Sequence, residues 1–108
     1  MSELANRSCV PCHGGVPRLR GAAVAEFARQ VPPEWLVVDE HHLLRRYEFP
    51  NFRAAQAFVN RVAALAEREG HHPDITFGWG YVELKIYTHA IDGLSESDFI
   101  LAAKIETL

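Results

Sequence analysis

The chain has 108 residues and a formal net charge of -3, enough for one domain with no room for a second core. It is 48% apolar and 23% charged, an ordinary soluble balance, and no Lys/Arg cluster offers the phosphate footprint of a nucleic-acid partner. The opening "MSELANRSCV" carries no apolar signal-peptide core and no run approaches membrane-spanning length; a cytoplasmic protein without membrane contact is expected, its two cysteines remaining thiols.

Residues 1–20, rich in Gly, Pro and Arg, read as an irregular N-terminal arm, and residues 21–108 as a single domain. Within the arm, "CVPCH" (Cys9 to His13) has the spacing of a c-type haem attachment site. Such attachment requires export, no second cysteine pair exists to complete a zinc site, and "HGGVP" follows where a thioredoxin-like helix would start. A reduced arm packed on the domain or on a neighbour is the remaining reading.

Ala22 to Val31 places Val24, Phe27 and Val31 at helical spacing, and Pro32-Pro33 stops it. Trp35 to Val38 and Leu43 to Phe49 read as two strands around the polar turn Asp39 to His42. The clearest element is a helix from Phe52 to Glu69, with Asn51 as its cap and Gly70 where a left-handed residue is wanted. Phe52, Ala55, Val59, Val62, Ala63 and Ala66 fall on one face, widened by Phe58 and Leu65. Val82, Leu84 and Ile86 then alternate with polar neighbours in a strand from Tyr81 to Thr88, with Ile75 to Trp79 beside it. Ser95 with Asp98 three residues on is a capping-box pattern opening the last helix. The order helix, hairpin, helix, hairpin, helix predicts an α+β fold, a four-stranded antiparallel sheet with three helices on one face.

One segment, "EREGHHPDITFGWG" from Glu67 to Gly80, invites a functional reading. His72 precedes Pro73 and is pushed toward an extended conformation, in which His71 and His72 diverge and do not grip one metal together. Glu67 lies one turn before His71, in position to orient an imidazole there. Three readings stand at this point: a polar helix exit capping the last carbonyls, a proton-transfer site, or a metal site. His41-His42 repeats the dipeptide without the proline or the glycine, and reads as a solvated turn. His89 at a strand end and Asp98 at a helix start each have plain surface or capping explanations when taken singly.

Together these residues make a specific pattern: Glu67, three residues, His71-His72-Pro73, five residues, Trp79, nine residues, His89, eight residues, Asp98. It closely resembles the signature of the pterin-4a-carbinolamine dehydratases, also called 4a-hydroxytetrahydrobiopterin dehydratases. "THAIDGLSESDFILAAKIE", Thr88 to Glu106, is similar to the family's C-terminal block, and the resemblance runs from about Ala22 to the end. It implies a homodimer or homotetramer that dehydrates a 4a-hydroxytetrahydropterin to the quinonoid dihydropterin. That substrate is the product left by aromatic amino-acid hydroxylases, phenylalanine hydroxylase above all. It also implies that no metal or organic cofactor is needed and that His71, His72 and His89 carry the proton transfers. Glu67 and Asp98 would orient imidazoles, while Pro73, Thr88 and Trp79 would border the substrate, Trp79 as a wall for its flat ring unless it belongs to the core. Gly80 stands where many members carry asparagine, a departure expected to alter the turn and the pocket wall more than the chemistry. Relatives on the same fold are also known as dimerisation or assembly cofactors, which leaves a non-catalytic interaction module as the alternative function.

Overall fold

Two hairpins joined through their inner strands organise the molecule. The structure, a computed structural model, describes residues 3–9 and 17–108. Along the chain come α1 (Ala22–Ala28), β1 (Leu36–Val38), β2 (His42–Glu48), α2 (Phe52–Glu69), β3 (Asp74–Gly78), β4 (Tyr81–Ile86) and α3 (Glu96–Ile105). Short 3-10 turns lie at Glu3–Asn6 and His89–Ile91. The strands form one antiparallel sheet in the order β1-β2-β4-β3, the expected α+β architecture with its helices on one face. β2 meets β4 with Leu43 opposite Ile86, Arg45 opposite Leu84 and Tyr47 opposite Val82. The period of two turns Val82, Leu84 and Ile86 toward the helices, and all three are fully buried.

Helix α2 keeps the bounds expected of it. Asn51 Oδ1 accepts the Ala54 N–H at 2.9 Å, and Gly70 takes a left-handed φ of 68° that ends the helix. Its buried face is centred on Ala55, Phe58, Val62, Leu65 and Ala66, while Phe52 and Ala63 are exposed. The buried face thus lies within the expected stripe, shifted toward its Phe58 and Leu65 flank and away from Phe52 and Ala63. Phe52 instead meets Phe77 of β3, ring centroids 5.3 Å apart.

Helix α3 is buried on nearly every side, from Ser97 through Ala103 and at Ile105. That is unusual for a helix in a two-layer domain, and the N-terminal residues account for it. The 3-10 turn Glu3–Asn6 lies across α3, Leu4 is completely buried, and the Lys104 ammonium donates to the Ala5 carbonyl at 3.0 Å. Cys9 is buried in the same cluster, its backbone N–H held by Glu69 Oε1 at 3.1 Å. Burial pushes its thiol up to about 12. The other expectations about the "CVPCH" segment concern Cys12 and His13, which lie outside the described residues.

Helix α1 stops at Ala28, three residues short of the expected Val31. Gln30 and Val31 close back on Phe27 and Ala28 in single turns before the prolines. In the β3–β4 turn Gly80 takes a φ of 82°, and a Cβ there would meet the Phe49 carbonyl at 3.1 Å. The glycine therefore shapes this turn.

Candidate active site

The exit from α2 is a rigid mount for a side chain. The N–H groups of Gly70 and His71 both close on the Ala66 carbonyl, so His71 leaves the helix in a set direction. That direction is inward. His71 is buried, and its Nε2 lies 2.5 Å from Oδ1 of Asp98, which is fully buried. An ionised carboxylate only accepts, so Nε2 carries the proton and Nδ1 is the nitrogen left for chemistry.

Asp98 is held from two further elements. Its Oδ2 accepts the Ser95 N–H at 2.8 Å, the reciprocal half of the capping box that starts α3. The same oxygen accepts the Thr88 hydroxyl at 2.9 Å. Thr88 extends the inward register of β4 by one step beyond the strand, and it is buried for that reason. With its proton on Asp98, Thr88 Oγ1 receives the Ser95 hydroxyl at 2.8 Å. One carboxylate thus ties the exit of α2, the end of β4 and the start of α3.

His72 faces the other way, as an extended chain requires. It is exposed, and its Nε2 lies 2.8 Å from Glu67 Oε1. Glu67 was expected to serve His71 and instead serves His72; Asp98 occupies the His71 position. An 18-residue helix ending in a left-handed glycine turns His71 under the helix, out of reach of a carboxylate on its exposed side.

His89 does not end the strand, which stops at Ile86; it opens the 3-10 turn His89–Ile91 and is exposed. The loop is closed by a Thr88–Gly93 bridge, with Thr88 N–H on the Gly93 carbonyl at 2.9 Å. Between the α2 exit, Gly70 to His72, and the segment Tyr87 to Ala90 lies an open pocket of about 170 Å³. Four of the expected residues line it: His71, His72, Thr88 and His89.

Of the three residues expected to border the substrate, Thr88 lines this pocket and two do not. Pro73 leads the chain into β3 without lining the pocket. Trp79 sits in the β3–β4 turn, 72% exposed, at the opposite end of β4 from Thr88. The strand direction from Tyr81 to Thr88 alone covers seven steps, roughly 23 Å at the usual rise. Trp79 therefore neither walls this pocket nor joins the core, and the Gly80 departure next to it reaches the turn alone.

Sequence reasoning also passed over residues that the fold brings in. Tyr87 lines the pocket, its ring 4.2 Å from that of His89. His41, expected to be solvated, packs on the Tyr87 ring at 4.6 Å and holds Asp92 Oδ1 at 2.8 Å. This contact keeps the Asp92 carboxyl below the usual carboxylate range. His42, 3.0 Å from His41 Nδ1 to Nδ1, is pushed down by burial and by Lys85 and His41. Tyr87's place directly before Thr88-His89 was the available signal. Among the described residues no three His, Cys, Asp or Glu side chains are grouped to hold one metal ion.

Comparison with known proteins bears on this geometry. The family model of the pterin 4 alpha carbinolamine dehydratases matches residues 17–108. The chain belongs to that family. A protein of Rubrobacter xylanophilus, provisionally named a pterin-4-alpha-carbinolamine dehydratase, is 60% identical over 108 residues, the whole of both chains. One of Alkaliphilus metalliredigens, provisionally named in the same way, is 45% identical over 98% of this chain and 96% of its own. Among solved structures, a transcriptional coactivator/pterin dehydratase from Brucella melitensis superposes with a TM-score of 0.76 at 28% identity, covering 83% of this chain and 96% of that one. A pterin dehydratase-like protein described as a RuBisCO assembly factor in the alpha-carboxysome gives 0.58 at 28% identity, over 68% and 87%. Like the dehydratase family as a whole, the chain is a pterin dehydratase-type α+β domain, and no helix among its described residues is long and apolar enough to cross a membrane.

Proposed function

We propose that this member of the family is an active lyase that removes water from a 4a-hydroxytetrahydropterin, giving the quinonoid dihydropterin. The observation that carries the reading is the convergence of three imidazoles, His71, His72 and His89, on one open pocket. In the reaction the C4a–O bond breaks, a proton joins the departing hydroxyl to make water, and N5 gives up its proton as the N5–C4a double bond forms. Both transfers run near neutral pH, where imidazole is closest to its own pKa.

In this reading His72 takes the proton from N5, with Glu67 holding its Nε2 and leaving Nδ1 free. His71 and His89 act on the hydroxyl side. His71 donates from Nδ1, while the buried Asp98 carboxylate holds the ring through Nε2. Each placed acid or base contributes about 10²–10⁴-fold, which is sufficient for this elimination without a metal or organic cofactor. The functional assembly is read as a homodimer or homotetramer, and β1 and β3, the edge strands of the sheet, are the strands a second copy would extend.

The test is a coupled assay in which phenylalanine hydroxylase generates the carbinolamine and its loss is followed optically. Added wild-type protein accelerates the loss, and His72→Ala and His89→Ala each reduce the acceleration. Wild-type protein without effect would remove the catalytic reading and favour an interaction module. The coactivator and assembly-factor neighbours provide for that alternative; the presence of all three histidines speaks for catalysis.

A further inference from the structure

The pocket has one phenol ring in its lining, and that ring is braced from behind. Tyr87 stands beside His89 with ring centroids 4.2 Å apart and planes tilted by 40°. Its ring also meets that of His41 at 4.6 Å, again at 40°. His41 leaves the β1–β2 turn, where Asp39 and Glu40 both take positive φ and the His41 N–H returns to the Val38 carbonyl at 2.9 Å. From there His41 Nε2 reaches Asp92 Oδ1 at 2.8 Å. Asp92 ends the same 3-10 turn that His89 begins, in a left-handed conformation with φ 49°. Arg18 fixes this residue from another side by donating to its carbonyl at 3.1 Å. The contact His41–Asp92 therefore clamps the Tyr87 ring and the His89 turn to the sheet at once.

We infer that Tyr87 is the binding wall on which a flat aromatic heterocycle lies in this pocket, and that His41 with Asp92 holds that wall in place. The inference rests on the pterin reading above and deepens it by assigning the ring's recognition. The imidazoles of His71, His72 and His89 are assigned to proton transfer in the reading above, and Gly70, Thr88 and Ala90 present no π-face. Trp79, the other aromatic candidate, lies at the far end of β4. Tyr87 thus offers the carbocyclic face, and an offset stacked heterocycle is the ligand such a face takes.

The experiment measures the Kd of an oxidised, non-reacting pterin by fluorescence titration, together with KM and kcat for dehydration. Tyr87→Ala raises Kd and KM together by about ten- to a hundredfold, the range for loss of a stacked ring, with kcat little changed. Tyr87→Phe keeps the wild-type values, because the face rather than the hydroxyl binds. Tyr87→Leu preserves bulk without a π-face and weakens binding as alanine does, which covers the case of an alanine variant that does not fold. His41→Ala raises Kd by a smaller factor in the same direction. Unchanged Kd in folded Tyr87→Ala or Tyr87→Leu overturns the wall. So does a fall in kcat at constant Kd, which would mark Tyr87 as mere packing behind His89. Wild-type protein that binds no pterin overturns this inference and the proposed function together, whereas wild-type binding with an indifferent Tyr87 overturns this inference alone.

Discussion

Replacing Asp98 by asparagine changes the site by one atom's chemistry while keeping its shape. In the native chain Oδ2 accepts the Ser95 N–H and the Thr88 hydroxyl, and Oδ1 accepts the His71 Nε2–H. An asparagine oriented to keep the first two bonds presents its NH2 group to His71. Nε2 must then be an acceptor, so the imidazole proton moves to Nδ1, the nitrogen that should exchange protons in the pocket. The wrong tautomer and the lost carboxylate act in the same direction. Dehydration should fall about 10²–10⁴-fold, the range of one positioned acid or base. Loss of a charge-assisted hydrogen bond at a fully buried carboxylate costs about 1.5–3 kcal/mol. In a domain of this size that lowers Tm by roughly 6–12 °C, at about 4 °C per kcal/mol.

The assay is thermal unfolding by circular dichroism beside the coupled dehydration rate, with the pH–rate profile of both proteins. The shape of that profile should differ between the two proteins, whereas a purely structural carboxylate would leave it unchanged. A folded Asp98→Asn with native Tm, native rate and native pH profile refutes the argument that this carboxylate sets the state of His71.

Thr88→Val, which removes only the hydroxyl from Asp98, should cost about 1 kcal/mol and slow dehydration less than Asp98→Asn, as urea unfolding and the same assay will read. Glu67→Gln should leave stability within about 0.5 kcal/mol, since its pair with His72 is exposed on both sides, while kcat falls by roughly tenfold or less. Leu4→Ala should lose about 2–5 kcal/mol in chemical denaturation, because Leu4 is fully buried against α3. Cys9, whose thiol is raised from 9.0 to about 12, stays protonated in the folded state where the unfolded chain has released its proton. Stability linked to it is complete below pH 9 and declines as pH rises toward 12. Between pH 8 and pH 10 the wild type should lose on the order of 1 kcal/mol more than Cys9→Ala.

Elements with local signals were legible in the chain. The bounds of α2 follow from an asparagine cap and a left-handed glycine, the β4 face from strict alternation, and the start of α3 from Ser95 and Asp98. The joining of β2 to β4 has no local signal, because nothing in either strand specifies a partner some forty residues away. Side-chain partners were harder for the same reason. His71 and Asp98 lie 27 residues apart and meet only when α2, β4 and α3 have packed. Glu67 was assigned by nearness along the helix, but the left-handed exit rotated His71 away and left His72 in reach. His41 resembled a solvated turn until the Asp39-Glu40 bend brought it against Tyr87. The placement of Leu4 beside α3 rests on a single leucine in a polar segment, a pattern with no period to read.

The central carboxylate explains why a small domain can keep an acid–base site of this kind in order. An ionised group with no solvent exposure is costly unless both of its oxygens are hydrogen-bonded. Asp98 meets that condition with donors from three separate elements, of which the Ser95 N–H is required by helix α3 in any case. Thr88 is supplied by the alternation that builds the β4 core face, and His71 by the glycine that ends α2. Each contact therefore serves the fold first and the site second. It follows that disturbing the pocket at its buried side disturbs the domain, whereas its open side, His72 and His89, is free to vary in rate without loss of the fold. A site divided in this way confines the joint cost in stability and activity to the buried carboxylate and its partners.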